Sequence, residues 1–171
     1  MLLIFYSVPP GDPRVVEAPS ESIVEGEMVT FKCSSSGGSP NPTFSWSFLN
    51  GSIADSKYLN TFTKGGETES TLHFRVRPED NGAFLTCGVI NKAMLDNHTK
   101  DVDTPRLNVL FKPRVHVAPV QDLTVEVGQI VQLICTADAN PTPPSYEWYV
   151  FVFFSSLKQI LLILKLVYSK F

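Results

Sequence analysis

Basic charge is scarce in this sequence of 171 residues, and charged residues of either sign make up only 18% of it. Fourteen Lys and Arg stand against seventeen Asp and Glu, for a formal net charge of -3. Lys158, Lys165 and Lys170 all follow residue 149, so the chain before that point carries -6. Nucleic-acid binding depends on basic contacts to phosphates, and this acidic body argues against it. With 43% hydrophobic residues, coiled coil, collagen and intrinsic disorder are also excluded for the whole chain.

The last 21 residues, 151–171, lack Pro, Gly, Asp and Glu altogether. The preceding part holds all 13 Pro and all 10 Gly, spaced between short runs that alternate polar and apolar residues. That composition predicts an all-β chain with many turns, because Pro and Gly interrupt elements and alternation gives a strand one buried face. The end of the chain therefore requires a separate interpretation.

The tail, residues 150–171, has three interpretations: a membrane span, an amphipathic helix, or a segment that is not native to the fold. A membrane span over 150–168 has the required length, but Lys158 and Lys165 lie inside it, and a central Lys costs about 2.5–3.5 kcal/mol on insertion scales. An amphipathic helix lacks a polar face, because residues 160–164 are all Ile or Leu. The third interpretation, a hydrophobic Lys-containing tail that is not native to the fold, is favoured because the repeat described next stops near residue 150.

An internal repeat defines the domains. Cys33 precedes Trp46 by 13 residues and Cys135 precedes Trp148 by 13, while a glycine lies seven residues before each cysteine, at position 128 in the second case. The unit recurs after 102 residues, the separation of Cys33 and Cys135. Such a period predicts two domains of about a hundred residues each.

Residues 1–11 form a short apolar N-terminus ahead of the first domain. Only five apolar residues follow Met1, without a basic region, which is short for a secretory signal. A partial signal and a stray start remain as alternatives, so this segment does not establish export.

Four segments of the first domain alternate as half-buried strands do. The residues expected to face the core are Val29, Phe31 and Cys33, then Phe44, Trp46 and Phe48, then Leu72, Phe74 and Val76, and finally Ala83, Leu85 and Cys87. Segments 34–42 and 78–82 between them have the composition of turns.

Cys33, Trp46 and Cys87 have the spacing of a two-sheet sandwich joined across its middle. The indole would pack against the sulfurs and find one partner for its N–H. Closing the loop of 54 residues from Cys33 to Cys87 would stabilise the domain by about 4 kcal/mol in the chain-entropy model, in an oxidising compartment. The alternative is two buried free thiols in a cytosolic domain. Cys135 has no downstream cysteine and is expected to be unpaired.

These residues resemble the immunoglobulin superfamily over residues 12–149. The motifs are Cys33, Trp46, the corner Asp80-Asn81-Gly82 and Cys87, with Gly128, Cys135 and Trp148 repeating the first half. The resemblance implies an all-β, immunoglobulin-like two-sheet Greek-key sandwich at 12–111, followed at 112–149 by a truncated second domain with strands A to C only. Trp46 and Trp148 would be the core tryptophans.

Two stretches are similar to the adhesion branch of that superfamily around nectins, nephrin and echinoid. They are the run from Asp80 to Ala93 and residues 139–143 before Trp148. One position departs from the pattern, since Leu85 stands where a tyrosine would tie the corner before Cys87. The tie is therefore absent or made by other groups.

The resemblance implies an extracellular cell adhesion or recognition module that acts through contacts between immunoglobulin domains. Outward residues of the sheet with strands C, F and G would make the contact, namely Ser45, Ser47, Phe84 and Thr86. The partner would be another immunoglobulin-superfamily ectodomain, homophilic or heterophilic. The protein would be a single-pass membrane protein ectodomain at the cell surface, or secreted. The alternatives are a secreted, soluble ligand-binding or immune-type protein and a truncated fragment without function.

The sequence contains few candidate residues for modification, metal binding or catalysis. Asn50 and Asn97 each begin an Asn-x-Ser/Thr acceptor for N-glycans. His73, His98 and His116 are scattered and lack metal-ligand spacing, so no metal site is expected. No serine lies beside a histidine in a recognisable nucleophile arrangement. We therefore expect neither enzymatic activity nor a cofactor.

Overall fold

The computed structural model describes residues 6–48, 58–94, 98–118, 130, 132–143, 145–152 and 160–167. The chain divides into two compact units, Met1–Val109 and Leu110–Phe171, each described by itself. Apart from a short 3-10 turn at Pro78–Asp80, the regular structure of the described residues is β-strand. The strands are β1 Val8–Pro10, β2 Arg14–Glu17, β3 Ile23–Val24, β4 Met28–Ser39, β5 Thr43–Phe48, β6 Leu59–Lys64, β7 Glu67–Arg75, β8 Leu85–Ile90, β9 Lys100–Asp103, β10 Val109–Ala118, β11 Ile134–Asn140, β12 Ser145–Val152 and β13 Ile160–Val167.

Two antiparallel sheets form the first unit. One contains β1, β2, β4, β7 and β6, and the other contains β5, β8 and β9. β4 pairs with β7 so that Cys33 lies opposite Ser70, and β5 pairs with β8 so that Trp46 lies opposite Cys87. The all-β, two-sheet architecture expected from the sequence is confirmed.

The core of the first unit consists largely of the residues that the alternation predicts. Its buried members are Ile23, Val29, Phe31, Cys33, Trp46, Leu72, Val76, Leu85, Cys87, Val89, Leu107 and Val109. Phe74 stacks on Phe31 with 5.9 Å between ring centroids and meets Phe48 edge-on at 5.3 Å. These aromatic contacts add to the area burial that stabilises the sandwich.

A disulfide joins Cys33 and Cys87 across the two sheets. Trp46 is fully buried beside it, and its indole Nε1 donates a hydrogen bond of 3.1 Å to Ser70 Oγ on the opposite sheet. The indole N–H thus has the partner that its burial requires. The disulfide prediction is confirmed, and the alternative of two free thiols is excluded.

The corner after β7 is fixed without the missing tyrosine. Asp80 is buried, and its Oδ2 accepts a hydrogen bond of 2.8 Å from the backbone N–H of Arg77. Asn81 Oδ1 accepts a second hydrogen bond, of 3.0 Å, from the backbone N–H of Val109. Leu85, at the tyrosine position, is fully buried in the core. The tie is therefore made by the side chains of Asp80 and Asn81.

The first unit begins earlier than the boundary predicted at residue 12. β1 pairs with β4, and the Asn91 side chain donates a hydrogen bond of 2.7 Å to the carbonyl oxygen of Val8. Lys100 Nζ donates one of 2.9 Å to the carbonyl oxygen of Pro10, which is itself fully buried. Residues 8–11 are thus built into the sandwich rather than lying ahead of it.

β4 extends through most of segment 34–42, which the composition predicts as a turn. Its end pairs with β1, where Val8 lies opposite Ser39. Gly37 and Gly38 adopt φ values of 68° and 91°, a left-handed backbone that glycine tolerates. Pairing with β1 therefore outweighs the local turn composition.

The second unit contains two strand pairs. β10 pairs with β11, where Val117 lies opposite Cys135, and β12 pairs with β13, where Trp148 lies opposite Leu164. As the repeat predicts, one strand carries the cysteine and the next carries the tryptophan. Cys135 is a free thiol.

Trp148 departs from its predicted place in a core. It is 41% exposed, whereas Trp46 is 0% exposed. A sandwich buries its central tryptophan only when a second sheet covers it, and the described strands of this unit leave Trp148 open.

The tail predicted not to be native to the fold supplies β13, which pairs along its whole length with β12. Residues 160–167 are therefore a strand, and not the helix that two of the three interpretations require. Among the residues that the structure describes, no helix is long and apolar enough to cross a bilayer.

Candidate binding face

The candidate site is the outer surface of the sheet formed by β5, β8 and β9, which we call the β5–β8–β9 face. Side chains alternate along a strand, so the neighbours of the buried Trp46 and Cys87 point away from the core. The strand register aligns these outward positions in two rows across the sheet. One row is Ser45, Gly88 and Asp101, and the other is Ser47, Thr86 and Asp103.

Three of the four residues predicted to make contact lie together on the β5–β8–β9 face. Ser45 is exposed, and Ser47 and Thr86 are half-buried. Ser47 lies directly opposite Thr86 on the neighbouring strand. The sequence pattern therefore places these three side chains correctly with respect to the core.

Phe84, the fourth predicted residue, lies just before β8, at the end of the face rather than near its centre. It is half-buried, and the guanidinium of Arg106 lies 4.9 Å from its ring centroid. Arg106 Nη1 also donates a hydrogen bond of 2.7 Å to the carbonyl oxygen of Gly82, which fixes the cation there. The expected open aromatic ring is therefore covered by a cation.

Sequence reasoning did not identify Gly88, Asp101 and Asp103. β9 was missed because its charged residues have the composition of a loop, although the alternation around Val102 is the signal of a half-buried strand. A Cβ at Gly88 would lie 2.7 Å from Ser45 Oγ and 2.9 Å from Asp101 Oδ1. The absence of a side chain at Gly88 therefore allows Ser45 and Asp101 to lean over the central strand.

Three hydroxyl groups around the face donate hydrogen bonds to oxygen atoms of the protein. Thr86 Oγ1 donates a hydrogen bond of 2.6 Å to Asp103 Oδ1, and Thr99 Oγ1 donates one of 3.2 Å to Asp101 Oδ2. Ser45 Oγ donates a longer one, of 3.5 Å, to the carbonyl oxygen of Gly88. The face therefore presents mainly hydrogen-bond acceptors and negative charge.

The opposite sheet presents charges of both signs on its outer surface, and two ion pairs lie among them. Arg14 contacts Glu67, and Lys32 Nζ lies 2.7 Å from Glu17 Oε2. The hydrogen bond and the attraction of the Glu17 carboxylate raise the pKa of Lys32 above its ordinary value of 10.5. In these two pairs, opposite charges satisfy one another within the chain.

Asp101 and Asp103 have no ion-pair partner among the described residues. The lysine of their own strand, Lys100, points away, and its Nζ lies 2.8 Å from Asp12 Oδ1. Both aspartates are exposed. The β5–β8–β9 face is therefore acidic, in contrast to the opposite sheet.

The remaining sequence candidates are the two glycan acceptors and the histidines. Asn50 and Asn97 fall outside the described residues. His73 and Thr30 both lie on the sheet opposite the face, with 2.9 Å between His73 Nδ1 and Thr30 Oγ1. His116 is exposed on β10. Within the described ranges, no cluster of His, Cys, Asp and Glu is suited to hold a metal ion.

The chain is similar to a known domain family and to known proteins. Residues 14–98 match the family model of the CD80-like C2-set immunoglobulin domain. Cell adhesion molecule 2 of Rattus norvegicus is 30% identical over 132 residues, 75% of this chain and 30% of that protein. Kin of IRRE-like protein 2 of Mus musculus is 32% identical over 146 residues, 82% of this chain and 20% of that protein. The chain thus spans less than a third of the length of these two relatives.

A solved structure supports the same fold. The crystal structure of the mouse nectin-like molecule 4 full ectodomain, Ig1–Ig3, matches with a TM-score of 0.57 and 24% identity, over 92% of this chain and 55% of that one. The disulfide, the buried tryptophan and the two sheets of the first unit accord with this match. The chain belongs to the immunoglobulin superfamily and resembles its cell adhesion molecules.

Proposed function

We propose that this chain is part of an extracellular adhesion or recognition protein whose first unit binds another immunoglobulin-superfamily ectodomain through the β5–β8–β9 face. The observation that carries the proposal is the face itself, an outward surface of small polar side chains on a sheet joined to its partner sheet by a disulfide. The similarity to cell adhesion molecules supports a protein partner. Immunoglobulin-type adhesion modules are generally not enzymes, and the proposed activity is binding alone.

Small side chains suit a sheet for contact with another protein. Ser and Thr have few rotamers, so ordering them on binding costs little conformational entropy. They also allow larger side chains of a partner to approach the strands closely. In this account the partner supplies most of the large anchoring side chains, and Ser45, Ser47 and Thr86 provide a complementary surface.

The size of the face sets how far the contact must extend. Strands lie about 4.8 Å apart and rise about 3.3 Å per residue, so three strands of this length cover roughly 10 by 20 Å. A standard interface buries about 800 Å² on each partner. The contact therefore includes neighbouring surface, and the Phe84–Arg106 pair at one end of the face offers large side chains for it.

The disulfide supports an extracellular location. A bond such as Cys33–Cys87 persists in oxidising compartments, and we propose that the first unit lies outside the cytosol. The protein would act at the cell surface, as its adhesion-molecule relatives favour, or as a secreted molecule. N-glycans at Asn50 and Asn97 would accompany either location.

The remaining segments have subordinate roles in this proposal. Residues 112–149 would be the first strands of a second immunoglobulin-like domain that acts as a spacer, as the cysteine and tryptophan repeat indicates. Residues 150–171 would take no part in recognition. No nucleic acid, cofactor or metal enters the proposed activity.

Two charge-adding variants test the proposal. Beads carrying the secreted chain are applied to cells that display a panel of immunoglobulin-superfamily ectodomains. Ser47→Arg alters the β5–β8–β9 face, and Asn60→Arg is the matched control on the outer surface of β6 in the other sheet. We expect the wild-type chain to bind at least one ectodomain, Ser47→Arg to weaken that binding about tenfold or more, and Asn60→Arg to leave it unchanged. Equal binding by all three proteins would contradict the use of this face.

A further inference from the structure

We propose that the β5–β8–β9 face selects a partner whose contact surface carries Arg or Lys, and that it does not bind a second copy of the same face. This inference rests on the proposed function and specifies the chemistry of the partner. It is carried by Asp101 and Asp103, which lie beyond residues 14–98, the part matched by the family model.

The negative charge lies over the middle of the face as well as at its edge. Asp101 belongs to β9, but its Oδ1 is 2.9 Å from the point where a Cβ of Gly88 would lie on the adjacent strand β8. Only a residue without a side chain at position 88 allows this approach. Residues near the centre of an interface contribute most to binding, so the charge of Asp101 would be decisive for the choice of partner.

Among the residues that the structure describes, no cation pairs with these carboxylates. Thr86 and Thr99 each donate one hydrogen bond to them, and a carboxylate accepts several, so accepting positions remain on Asp101 and Asp103. Lys100 contacts Asp12, and Arg106 covers Phe84. Within the described residues, the cations nearest in sequence are thus held elsewhere.

A second copy of this face would oppose like charges. The face is roughly 10 Å wide from β5 to β9, and the Debye length is about 8 Å at physiological ionic strength. These two lengths are similar, so the repulsion between the aspartates of two stacked faces is only partly screened. Burial of a carboxylate without a cation is strongly unfavourable, and this opposes homophilic contact.

An arginine or lysine surface would satisfy both requirements. A guanidinium forms charge-assisted hydrogen bonds to carboxylates, often with two parallel N–H groups, and a lysine ammonium contributes as a point charge. The acidic body of the chain would also speed the approach of a basic partner at low salt. The structure thus favours a heterophilic partner of opposite charge.

A variant in which the two aspartates of the face are replaced by lysine serves as a basic binding partner of defined structure for the wild-type face. Asp101→Lys/Asp103→Lys is made in the whole chain, and Glu67→Lys/Glu69→Lys is the matched control on two outward positions of β7 in the other sheet. Beads of each protein are mixed in pairs, and clustering is counted at about 50, 150 and 500 mM NaCl, where screening increases strongly. Intact protein mass and thermal unfolding confirm that each variant keeps the Cys33–Cys87 disulfide and the fold.

We expect wild-type beads to stay dispersed from one another and to cluster with Asp101→Lys/Asp103→Lys beads. Clustering should fall about tenfold between the lowest and highest salt, as for contacts between exposed charges. Wild-type beads mixed with the Glu67→Lys/Glu69→Lys control should remain dispersed. Beads with Asp101→Asn/Asp103→Asn should cluster with the lysine variant about tenfold less than wild-type beads do. This variant removes the negative charge of the face without adding a lysine to it.

Three results would overturn the inference. First, wild-type beads could cluster with one another and lose this clustering in Asp101→Lys/Asp103→Lys. That result would show that the face binds a second copy, which contradicts the inference but supports the proposed function. Equal clustering with the Glu67→Lys/Glu69→Lys control would show unspecific charge attraction. Absence of mixed clustering at every salt concentration would show that basic charge is not what the face selects. The Ser47→Arg experiment reports on the proposed function independently of all three.

Discussion

Trp46 shows how a single side chain joins the two sheets of the first unit. Its ring is fully buried next to the disulfide, and its one polar group reaches Ser70 Oγ across the core at 3.1 Å. Ser70 lies opposite Cys33 and is itself 0% exposed. The indole N–H therefore depends on Ser70, because water does not reach it.

Ser70→Ala is expected to lower the free energy of unfolding by about 1–3 kcal/mol, since it leaves the buried indole N–H without an acceptor. The measurement is guanidinium chloride unfolding followed by far-ultraviolet circular dichroism. Ser47→Ala, an outward serine on the same strand as Trp46, is the control and should change the midpoint little. A midpoint for Ser70→Ala equal to that of the wild type would show that the indole has a different partner.

The residues of the core were predictable because the alternation that places them is local. Phe31 and Cys33, two positions apart on one strand, necessarily face the same way. The cover over Phe84 was not predictable, because Arg106 is distant in sequence and reaches the ring only after the chain has formed β9. The outward residues of the face were therefore predicted at Ser45, Ser47 and Thr86, and missed at Gly88, Asp101 and Asp103.

At the scale of elements, the buried amide of Asn91 adds to the strand pairing with β4 that holds β1 in the first unit. Asn91, 7% exposed, donates hydrogen bonds of 2.7 Å to the carbonyl oxygen of Val8 and 2.9 Å to that of Pro40. Its Oδ1 accepts a third, of 3.1 Å, from the backbone N–H of Ala93. One side chain thus connects β1, the turn before β5 and the turn after β8.

Asn91→Ala is expected to release β1 and to destabilise the first unit by about 1–3 kcal/mol, because carbonyl groups near it lose their donor. Hydrogen–deuterium exchange with mass spectrometry should show faster exchange at the amides of Val8 and Gly11, the two that residues 8–11 contain, with protection of β5 and β8 retained. Lys92→Ala, a change at the exposed neighbour, should leave both segments as in the wild type. Unchanged exchange in residues 8–11 of Asn91→Ala would mean that strand pairing with β4 alone holds β1.

Composition gave the wrong prediction for strands that form only because they pair with strands distant in sequence. β1 and the end of β4 have Pro, Gly and Ser and form strands because they pair with each other. β9 has three charged residues in four and forms a strand because β8 provides its partner. Local preference is a weak guide at such positions, since tertiary hydrogen bonds decide them.

At the scale of the whole molecule, the two units differ in how completely they bury their tryptophans. The first unit encloses Trp46 beside a disulfide whose loop of 54 residues contributes about 4 kcal/mol in the chain-entropy model. In the second unit Trp148 is 41% exposed and Cys135 is free. Recognition therefore belongs to the first unit in this account, and the central claim is that its β5–β8–β9 face makes the contact.

A glycan placed on that face tests the claim most directly. Ser45→Asn creates an Asn-Trp-Ser acceptor on the β5–β8–β9 face, and Glu69→Asn creates a matched Asn-Ser-Thr acceptor on the outer surface of the other sheet. Both proteins are secreted, their added glycans are verified by mass before and after glycosidase treatment, and their binding to the ectodomain recovered from the displayed panel is measured. The account predicts that the glycan at position 45 abolishes binding, while the glycan at position 69 leaves it intact. Undiminished binding by the protein glycosylated at position 45 would contradict the central claim.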